Sequence, residues 1–262
     1  TIDSLRLYDI YVGWEQFTSK KLEITCGNGT ATLDEETLTV TLNNASVNMS
    51  GVHGNVCAAM YSGVNLNVVL SGSNYLNAGC DVAGGAAGGY SQSAGLFCRG
   101  DLTVSGEGTL QASGGFAKYS RGVSAGGSIS ISGGTVNAEG GVSDSGSSFG
   151  VFAGGNISIS GGTVTAEGGI KSVQGGYSRG IHANGTIAVS GGEVAACGGK
   201  AFGKAPDLSG YPYPHVMVSS GGSGDPAEWD GSTALGGSAS PYTYVTIDSL
   251  RLYDIYVGWE QF

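Results

Sequence analysis

The chain has 262 residues, of which 50 are Gly and 12% are charged, and its net charge at neutral pH is −10. Collagen is excluded because there are only five Pro and no three-residue Gly period. The 40% apolar content argues against a disordered linker. The acidic balance argues against nucleic acid as a partner, since no Lys/Arg patch to neutralise phosphates is evident. The sequence contains no run of about 18 apolar residues, so no membrane-spanning segment is predicted.

The first seventeen residues, TIDSLRLYDIYVGWEQF, recur letter for letter at 246–262. The offset of 245 residues predicts one module, 1–245, followed by the start of the next identical copy in a tandem array. An added tag is the alternative, although tags are rarely hydrophobic and strand-like. Alternating apolar residues predict a half-buried strand that runs into a turn at the junction of modules. These residues are Tyr8, Ile10, Val12 and Trp14 in the first copy and Tyr253, Ile255, Val257 and Trp259 in the second. We expect neighbouring copies to be partners, end to end in a rod.

A second repeat lies inside the module, with starting glycines at Gly95, Gly122, Gly150 and Gly180, spaced by 27, 28 and 30 residues. Each repeat contains three short strands of alternating apolar residues separated by Gly-containing turns. Alternation of period two places one face of each strand inside. The predicted inward residues after the first repeat are Val123, Ala125, Ile129, Ile131, Val136, Ala138, Val151, Ala153, Ile157, Ile159, Val164, Ala166, Ile181, Ala183, Ile187, Val189, Val194 and Ala196.

Such repeats cannot bury a core singly but can when stacked, so the pattern predicts an all-β parallel β-helix with three strands and 27–30 residues per coil. Propeller blades are disfavoured because they need about 40 residues and four antiparallel strands per repeat. We expect residues 1–25 to form an N-terminal cap and 26–204 to form the coils. Residues 205–245, where all the Pro lie, then form an insertion with a closing strand near His215–Ser219 and an exit strand at Tyr242–Ile247.

The strings SGGTVNAEGG, SGGTVTAEGG, GGNISISGG, YDIYVG and LDEETLTVTLNNAS, taken together with their order along the chain, give residues 4–200 a resemblance to a known family. They resemble the carbohydrate-binding β-helix modules of large secreted surface proteins from clostridia and related gut bacteria. The resemblance implies a right-handed parallel β-helix and an extracellular, cell-surface location. It also implies binding, without cleavage, of acidic plant polysaccharide such as pectin, together with calcium ions.

Polysaccharide-cleaving enzymes share this fold, so catalysis has to be weighed. The Asn-Thr-Asp, Asp-Asp, Gly-His-Gly and Arg-Ile-Lys strings of polygalacturonases are absent, and the outward positions read mostly as Ser, Thr and Gly. His53, His182 and His215 fall in distant repeats, which indicates neither a catalytic triad nor a zinc site. We therefore expect no enzyme, no catalytic residue and no required cofactor.

Two carboxylates occupy the same position in adjacent repeats, Glu139 and Glu167, so we expect them about 4.8 Å apart. The pair either lies in water or shares a calcium ion, to which Asp144 in the following loop would contribute.

The string YSRG occurs twice, at Tyr119–Gly122 and Tyr177–Gly180, with Phe149 at the intervening Arg position. Tyr119, Arg121, Tyr177 and Arg179 are therefore predicted to line one edge of the helix, about 10 Å apart in pairs. The rings could stack on sugar faces while the guanidinium groups pair with uronate carboxylates, and Tyr211 and Tyr213 would extend the platform. The alternative is that Tyr and Arg simply pack on each other.

The five Cys show no C-x-x-C spacing and are interpreted mainly as small buried apolar side chains. Three hypotheses for function thus remain: a repeated carbohydrate-binding or adhesive module of a surface filament, a purely structural spacer, and, least supported, a lyase or hydrolase.

Overall fold

The computed structural model describes residues 4–48, 51–80, 91–170, 176–222 and 224–249, together with the backbone of 256–257 and 260–261; the side chains of 144 and 145 are outside it. The described residues form strands and turns, with no helix among them. In chain order the strands are β1 (Leu7–Val12), β2 (Glu15–Thr18), β3 (Glu23–Cys26), β4 (Gly29–Asp34), β5 (Thr39–Asn43), β6 (Ser46–Val47), β7 (Gly51–His53), β8 (Val56–Ser62), β9 (Leu66–Ser71), β10 (Ser73–Asn77), β11 (Gln92–Cys98), β12 (Leu102–Gly106), β13 (Thr109–Ser113), β14 (Ala117–Ala125), β15 (Ile129–Ile131), β16 (Thr135–Glu139), β17 (Ser143–Ala153), β18 (Ile157–Ile159), β19 (Thr163–Glu167), β20 (Ser178–Ala183), β21 (Ile187–Val189), β22 (Glu193–Cys197), β23 (Lys200–Phe202), β24 (Pro214–Ser219), β25 (Ala227–Glu228), β26 (Tyr244–Ser249), β27 (Tyr256–Val257) and β28 (Glu260–Gln261).

These strands stack into a parallel β-helix of about five coils, which confirms the predicted fold class. Three sheets form its sides. Sheet A runs β2-β1-β8-β11-β14-β17-β20-β23, with β7 beside β8. Sheet B runs β21-β18-β15-β12-β9-β5-β4-β3, and sheet C runs β25-β24-β26-β22-β19-β16-β13-β10-β6. Each coil passes once through A, B and C, so every position lies beside its counterpart one coil away.

The apolar alternation fills the interior with columns of like residues. In sheet A, Leu96 pairs with Val123, which pairs with Val151, and all three are at most 1% exposed. All eighteen predicted inward residues are buried, with exposures of 3% or less. The small Ala columns of sheet C keep the cross-section narrow enough for the sheets to fill it.

Parallel stacking begins later than the expected position 26. Strand β4 folds back antiparallel onto β5 through a turn in which Asp34 Oδ1 accepts the amide of Glu36 at 2.9 Å and Leu38 adopts φ 51°. This turn reverses the chain inside the segment that had been assigned to coils. At the other end the exit strand spans Tyr244–Ser249, shifted by two residues from its predicted bounds.

A ladder of buried serines joins successive coils at the corner between sheets C and A. Ser120 Oγ donates to the carbonyl of Gly115 at 2.7 Å and accepts the amide of Gly141 at 2.8 Å. Ser148 repeats the pattern one coil on, donating to Gly141 at 2.8 Å and accepting from Gly169 at 2.9 Å. The Gly-Gly turns that close the coils are thereby satisfied by side chains rather than by water.

The glycine two residues after each of these serines lies against sheet C. A Cβ on Gly150 would stand 2.5 Å from the amide nitrogen of Glu167, closer than any side chain can approach. The coils share a Ser-x-Gly sequence at this corner. The serine hydroxyl hydrogen-bonds to the backbone of the turns, and the glycine lets the two backbone segments approach closely.

Cys57 and Cys80 form a disulfide across the first complete coil, and the thiols of Cys26, Cys98 and Cys197 are free. The interpretation of the cysteines as buried apolar side chains therefore fails for this pair. Spacing along the chain did not reveal the bond, because the coil brings together two residues that are 23 positions apart.

Substituting Ser148→Ala should lower the free energy of unfolding by about 2 kcal/mol, since it leaves a buried amide and a buried carbonyl without partners. Urea unfolding followed by circular dichroism would measure the change. The matched control is Ser158→Ala on an exposed position of sheet B, expected within about 0.5 kcal/mol of the original chain. Equal effects of the two substitutions would contradict the role assigned to the serine ladder.

The disulfide can be checked by mass. Denatured but unreduced protein should take up three carbamidomethyl groups from iodoacetamide, and reduced protein five. Five groups without reduction would contradict the Cys57–Cys80 bond.

Candidate functional site

Positive charge is concentrated on one side of this acidic protein. Of the 11 Lys and Arg residues, six lie on the coil strands of sheet A or within two residues of their ends: Arg99, Lys118, Arg121, Arg179, Lys200 and Lys204. The strands of sheets B and C contain neither Lys nor Arg. Stacking thus places on one sheet cations that are up to 105 residues apart in sequence.

The two YSRG strings lie in one pair of columns on the outer face of sheet A, as their spacing predicts. Arg121 pairs in register with Phe149, and Phe149 with Arg179. Tyr119 pairs with Ser147, whose hydroxyl accepts the amide of Tyr177 at 3.0 Å. The motif serines, Ser120 and Ser178, belong to the corner ladder and point away from this face.

The second pair, Tyr177 and Arg179, is open to solvent. The Tyr177 side chain is 57% exposed, and the Arg179 Cζ lies 4.2 Å from its ring centroid. Arg179 Nη1 also lies 3.1 Å from His182 Nδ1. The result is an exposed aromatic ring with a half-buried guanidinium stacked over one of its faces.

The first pair is arranged differently, because Arg121 is 7% exposed. Its Cζ lies 4.1 Å from the ring centroid of Phe152 and 5.6 Å from that of Tyr119. Its Nη1 donates to Gln92 Oε1 and, at 3.4 Å, to Ser124 Oγ. Burial lowers the pKa of the Arg121 guanidinium to about 10. Arg121 is therefore not displayed on the surface as predicted; it lies beneath the face and packs against its rings.

A stacked aromatic cluster connects the two pairs. The rings of Phe149 and His182 are 5.1 Å apart and nearly parallel, at 17°, and Phe152 lies 5.3 Å from Phe149. Burial, followed by the charges of Arg179, Lys204 and Arg121, lowers the pKa of His182 to about 4. His182 is thus neutral at pH 7. Sequence reasoning missed Phe152 and His182, although both occupy the position three residues after the motif residue and pair in register.

Towards the N-terminal end of sheet A the aromatic column is buried, since Tyr61 is 4% and Phe97 6% exposed. His53 stacks on Tyr61 at 4.3 Å, and Tyr61 on Phe97 at 5.7 Å. Phe97 lies in the same column as Ser124, Phe152 and His182. The outer face of sheet A, which we call the aromatic–basic face, therefore runs the length of the helix.

Both arginines of the aromatic–basic face lack a negative partner. The Nε atoms of Arg121 and Arg179 are buried without a hydrogen-bond partner. Among the described side chains, the ion pairs are Lys21–Glu15, at the N-terminal end of sheet A, and His215–Asp248, on sheet C, and neither involves these arginines. A buried guanidinium without a carboxylate is costly in the free protein, and Arg121 is compensated in part by Gln92, Ser124 and the ring of Phe152.

Residues 25–195 match the family model of the carbohydrate-binding domain-containing proteins, and this range includes Tyr119 to His182. The chain belongs to this family. No curated protein and no solved structure matches it. Among the described residues of this carbohydrate-binding domain, no helix is long and apolar enough to cross a membrane.

Tyr211 and Tyr213 do not extend the aromatic–basic face of the carbohydrate-binding domain, contrary to expectation. Tyr211 is 7% exposed, belongs to the core and donates to the carbonyl of Gly192 at the turn between sheets B and C. That turn is the corner opposite sheet A. Tyr213 is 82% exposed and immediately precedes strand β24 of sheet C. The insertion joins sheet C through β24 and also pairs with sheet B at Asp207 and with sheet A at Gly236, which the sequence did not indicate.

The predicted carboxylate pair lies where the repeat places it. Glu139 and Glu167 are exposed neighbours in register on sheet C, at the end of their strands. The Asp144 side chain lies outside the described residues. Within the described part of the carbohydrate-binding domain, no group of three His, Cys, Asp or Glu side chains is placed to hold a metal ion. Calcium at this pair stays a prediction.

The junction residues of the first copy have two different environments. Tyr8, Ile10 and Val12 are buried in β1, which pairs antiparallel with β8, whereas Trp14 is 63% exposed. In the second copy, Tyr253, Ile255 and Trp259 lie outside the described residues. Val257 is described by its backbone, which pairs with Glu260.

The neutral His182 makes the stability of the domain depend on pH. Because its folded pKa, about 4, is below the ordinary value of 6.5, the unfolded chain binds the proton first as the pH falls. Stability from this group should be complete above pH 6.5 and be lost progressively towards pH 4. His182→Phe should keep the ring stack and remove this component, which urea unfolding at neutral and at acidic pH would show. The same pH dependence in both proteins would contradict the assignment.

Proposed function

We propose that this protein binds an acidic polysaccharide along the aromatic–basic face of sheet A, without cleaving it. Family membership supports a polysaccharide-binding role. The observation that carries the finer proposal is the pair of arginines, Arg121 and Arg179, that lack a carboxylate partner on the basic side of a chain with net charge −10. A uronate carboxylate would supply the missing acceptor.

The exposed ring of Tyr177 and the guanidinium of Arg179 provide the two contacts that a uronic acid requires. An aromatic ring stacks on the apolar C–H face of a pyranose, while the guanidinium donates to the carboxylate. The Tyr position recurs two coils apart, at Tyr119 and Tyr177, about 10 Å along the axis, with Ser147 in the coil between. A polymer lying parallel to the axis would meet these two rings in succession rather than a single pocket.

Binding rather than cleavage is proposed from the chemistry of the same face. Glycosidases use two carboxyl groups as acid and base or nucleophile. The described carboxylates on the strands of sheet A are Asp9 and Glu15, on β1 and β2 at the N-terminal end. Asp144 also belongs to sheet A, on β17, and its side chain is outside the described residues. The exposed carboxylates Glu139 and Glu167 lie on another side of the helix.

An extracellular, surface location is also proposed. Disulfides such as Cys57–Cys80 persist in oxidising compartments outside the cytosol. The repeated segment 246–262 favours an array of copies in a surface filament. In such an array the weak affinity of one copy would be multiplied by avidity, so that structural and adhesive roles coincide.

The decisive measurement is calorimetric titration with polygalacturonate and with the same polymer after reduction of its carboxyl groups. We expect binding to the first and at least tenfold weaker binding to the second, since a charge-assisted hydrogen bond is worth about 1.5–3 kcal/mol. Affinity should fall as salt rises. Equal binding to both polymers would contradict an acidic ligand, and binding to neither at high concentration would favour the spacer.

Tyr177→Ala and Arg179→Gln should each weaken binding to polygalacturonate roughly tenfold, by removing the stacking surface and the carboxylate donor respectively. Tyr213→Ala and Lys20→Gln are the matched controls, because they remove an exposed ring and an exposed charge away from the face. The calcium prediction is tested separately, by measuring the same binding in the presence of a chelator and with the variants Glu139→Gln and Glu167→Gln. Losses in the controls equal to those in the site variants would show that general charge or exposure, not this face, governs binding.

A further inference from the structure

A cavity of about 210 Å³ lies at the N-terminal end of the β-helix, away from the coil strand that carries Arg179. Its walls come from the turn between β1 and β2, from the end of β3, and from β6 with the following Asn48. Strands β2, β3 and β6 are the terminal strands of sheets A, B and C at this end. The cavity is thus bordered by the first strands of all three sheets.

The cavity has apolar walls, and an exposed tryptophan lies beside them. Val12 and Ile24 line the cavity and are at most 3% exposed, whereas Trp14 is 63% exposed. Trp14 follows Gly13 in the two-residue turn that joins β1 to β2. Gly13 has φ 60°, and its amide donates to the carbonyl of Ala59 at 2.7 Å, which ties the turn to β8. The indole is therefore presented by a fixed turn and provides a large, rigid contact surface.

Three exposed polar residues line the same cavity: Thr25, Ser46 and Asn48. Asn48 Oδ1 accepts from Asn77 Nδ2 at 2.7 Å, and the N–H donors of the Asn48 amide have no partner among the described residues. The hydroxyls of Thr25 and Ser46 likewise lack a hydrogen-bond partner in the described part of the chain. Because a hydroxyl both donates and accepts, these groups match the hydroxyl groups of a sugar.

The charge at this cavity is the opposite of that on the aromatic–basic face. Glu15 is the charged residue among those that line the cavity, and its carboxylate pairs with Lys21. A second carboxylate, that of the exposed Glu23, lies at the start of β3. A uronate would meet these like charges and would find no cationic side chain among the lining residues. An uncharged sugar meets no such repulsion.

We propose that this cavity is a second carbohydrate site and takes one ring of a neutral sugar. The indole of Trp14 stacks on the apolar C–H face of the pyranose, while Thr25, Ser46 and Asn48 hydrogen-bond to its hydroxyl groups. The cavity is smaller than the roughly 300–1,000 Å³ of sites for larger organic ligands, so it takes a terminal or branch ring rather than the length of a chain. This site goes beyond the acidic polymer proposed for the aromatic–basic face.

The probes are neutral oligosaccharides of glucose, of galactose and of mannose, titrated into the full chain by calorimetry and by NMR of the indole N–H signals. The Trp14 signal is assigned by its loss in Trp14→Phe. We expect at least one probe to bind and to shift this signal. Trp14→Ala should weaken that binding roughly tenfold, because the stacking surface is removed. Tyr213→Ala, which also removes an exposed ring, should leave the affinity unchanged.

Thr25→Val and Ser46→Ala test the polar contacts without changing the ring. Each should weaken binding roughly fivefold while the melting temperature stays that of the original chain, since neither hydroxyl has a partner in the described structure. Unchanged binding in both variants would contradict the polar contacts.

Three results would overturn the site: no binding of any probe at millimolar concentration, an unshifted Trp14 signal in the bound protein, or equal losses for Trp14→Ala and Tyr213→Ala. Displacement of the neutral probe by polygalacturonate would also overturn it, since both ligands would then share one site. Polygalacturonate titrated into the same variants reports on the aromatic–basic face, so failure of one proposal is distinguished from failure of the other.

Discussion

Parallel stacking of coils, in which each residue lies beside its counterpart one coil away, is the constraint on which this structure depends. It requires that every coil turn its corners at the same places and that the backbone approach closely there. Buried serines and glycines meet this requirement: Ser148 joins the Gly-Gly turns of two coils, and Gly150 leaves space for the backbone of Glu167. Side chains anywhere else on a coil are then aligned by the backbone rather than by their own contacts.

The functional face follows from that alignment. A change at the same position of several repeats becomes a column, and columns on sheet A have collected arginine, aromatic and lysine side chains while those on sheets B and C remain free of Lys and Arg. The cost is a set of partly buried cations without carboxylates, visible in the lowered pKa values of Arg121 and Arg179. On this face the Nε atoms of Arg121 and Arg179 are buried without a hydrogen-bond partner.

The duplicated segment contributes strands to both ends of the β-helix. A β-helix must cover its open coils, because unpaired strand edges invite association with other chains. Here the duplicated segment contributes at both ends: Tyr8, Ile10 and Val12 pack against the first coil, and Ile247 closes the last.

The sequence by itself determined the fold class, the strands of each coil, the inward residues and the shared column of the two YSRG strings, because period-two alternation and a coil of nearly constant length leave one way to stack. It did not determine the depth of the side chains: Arg121 and Tyr211 are buried, while Tyr177 and Tyr213 are exposed. It also missed His182, Phe152 and the Cys57–Cys80 bond. Only the tertiary structure decided these, since they depend on which residues of different coils and of the insertion cover one another, and that information is not periodic.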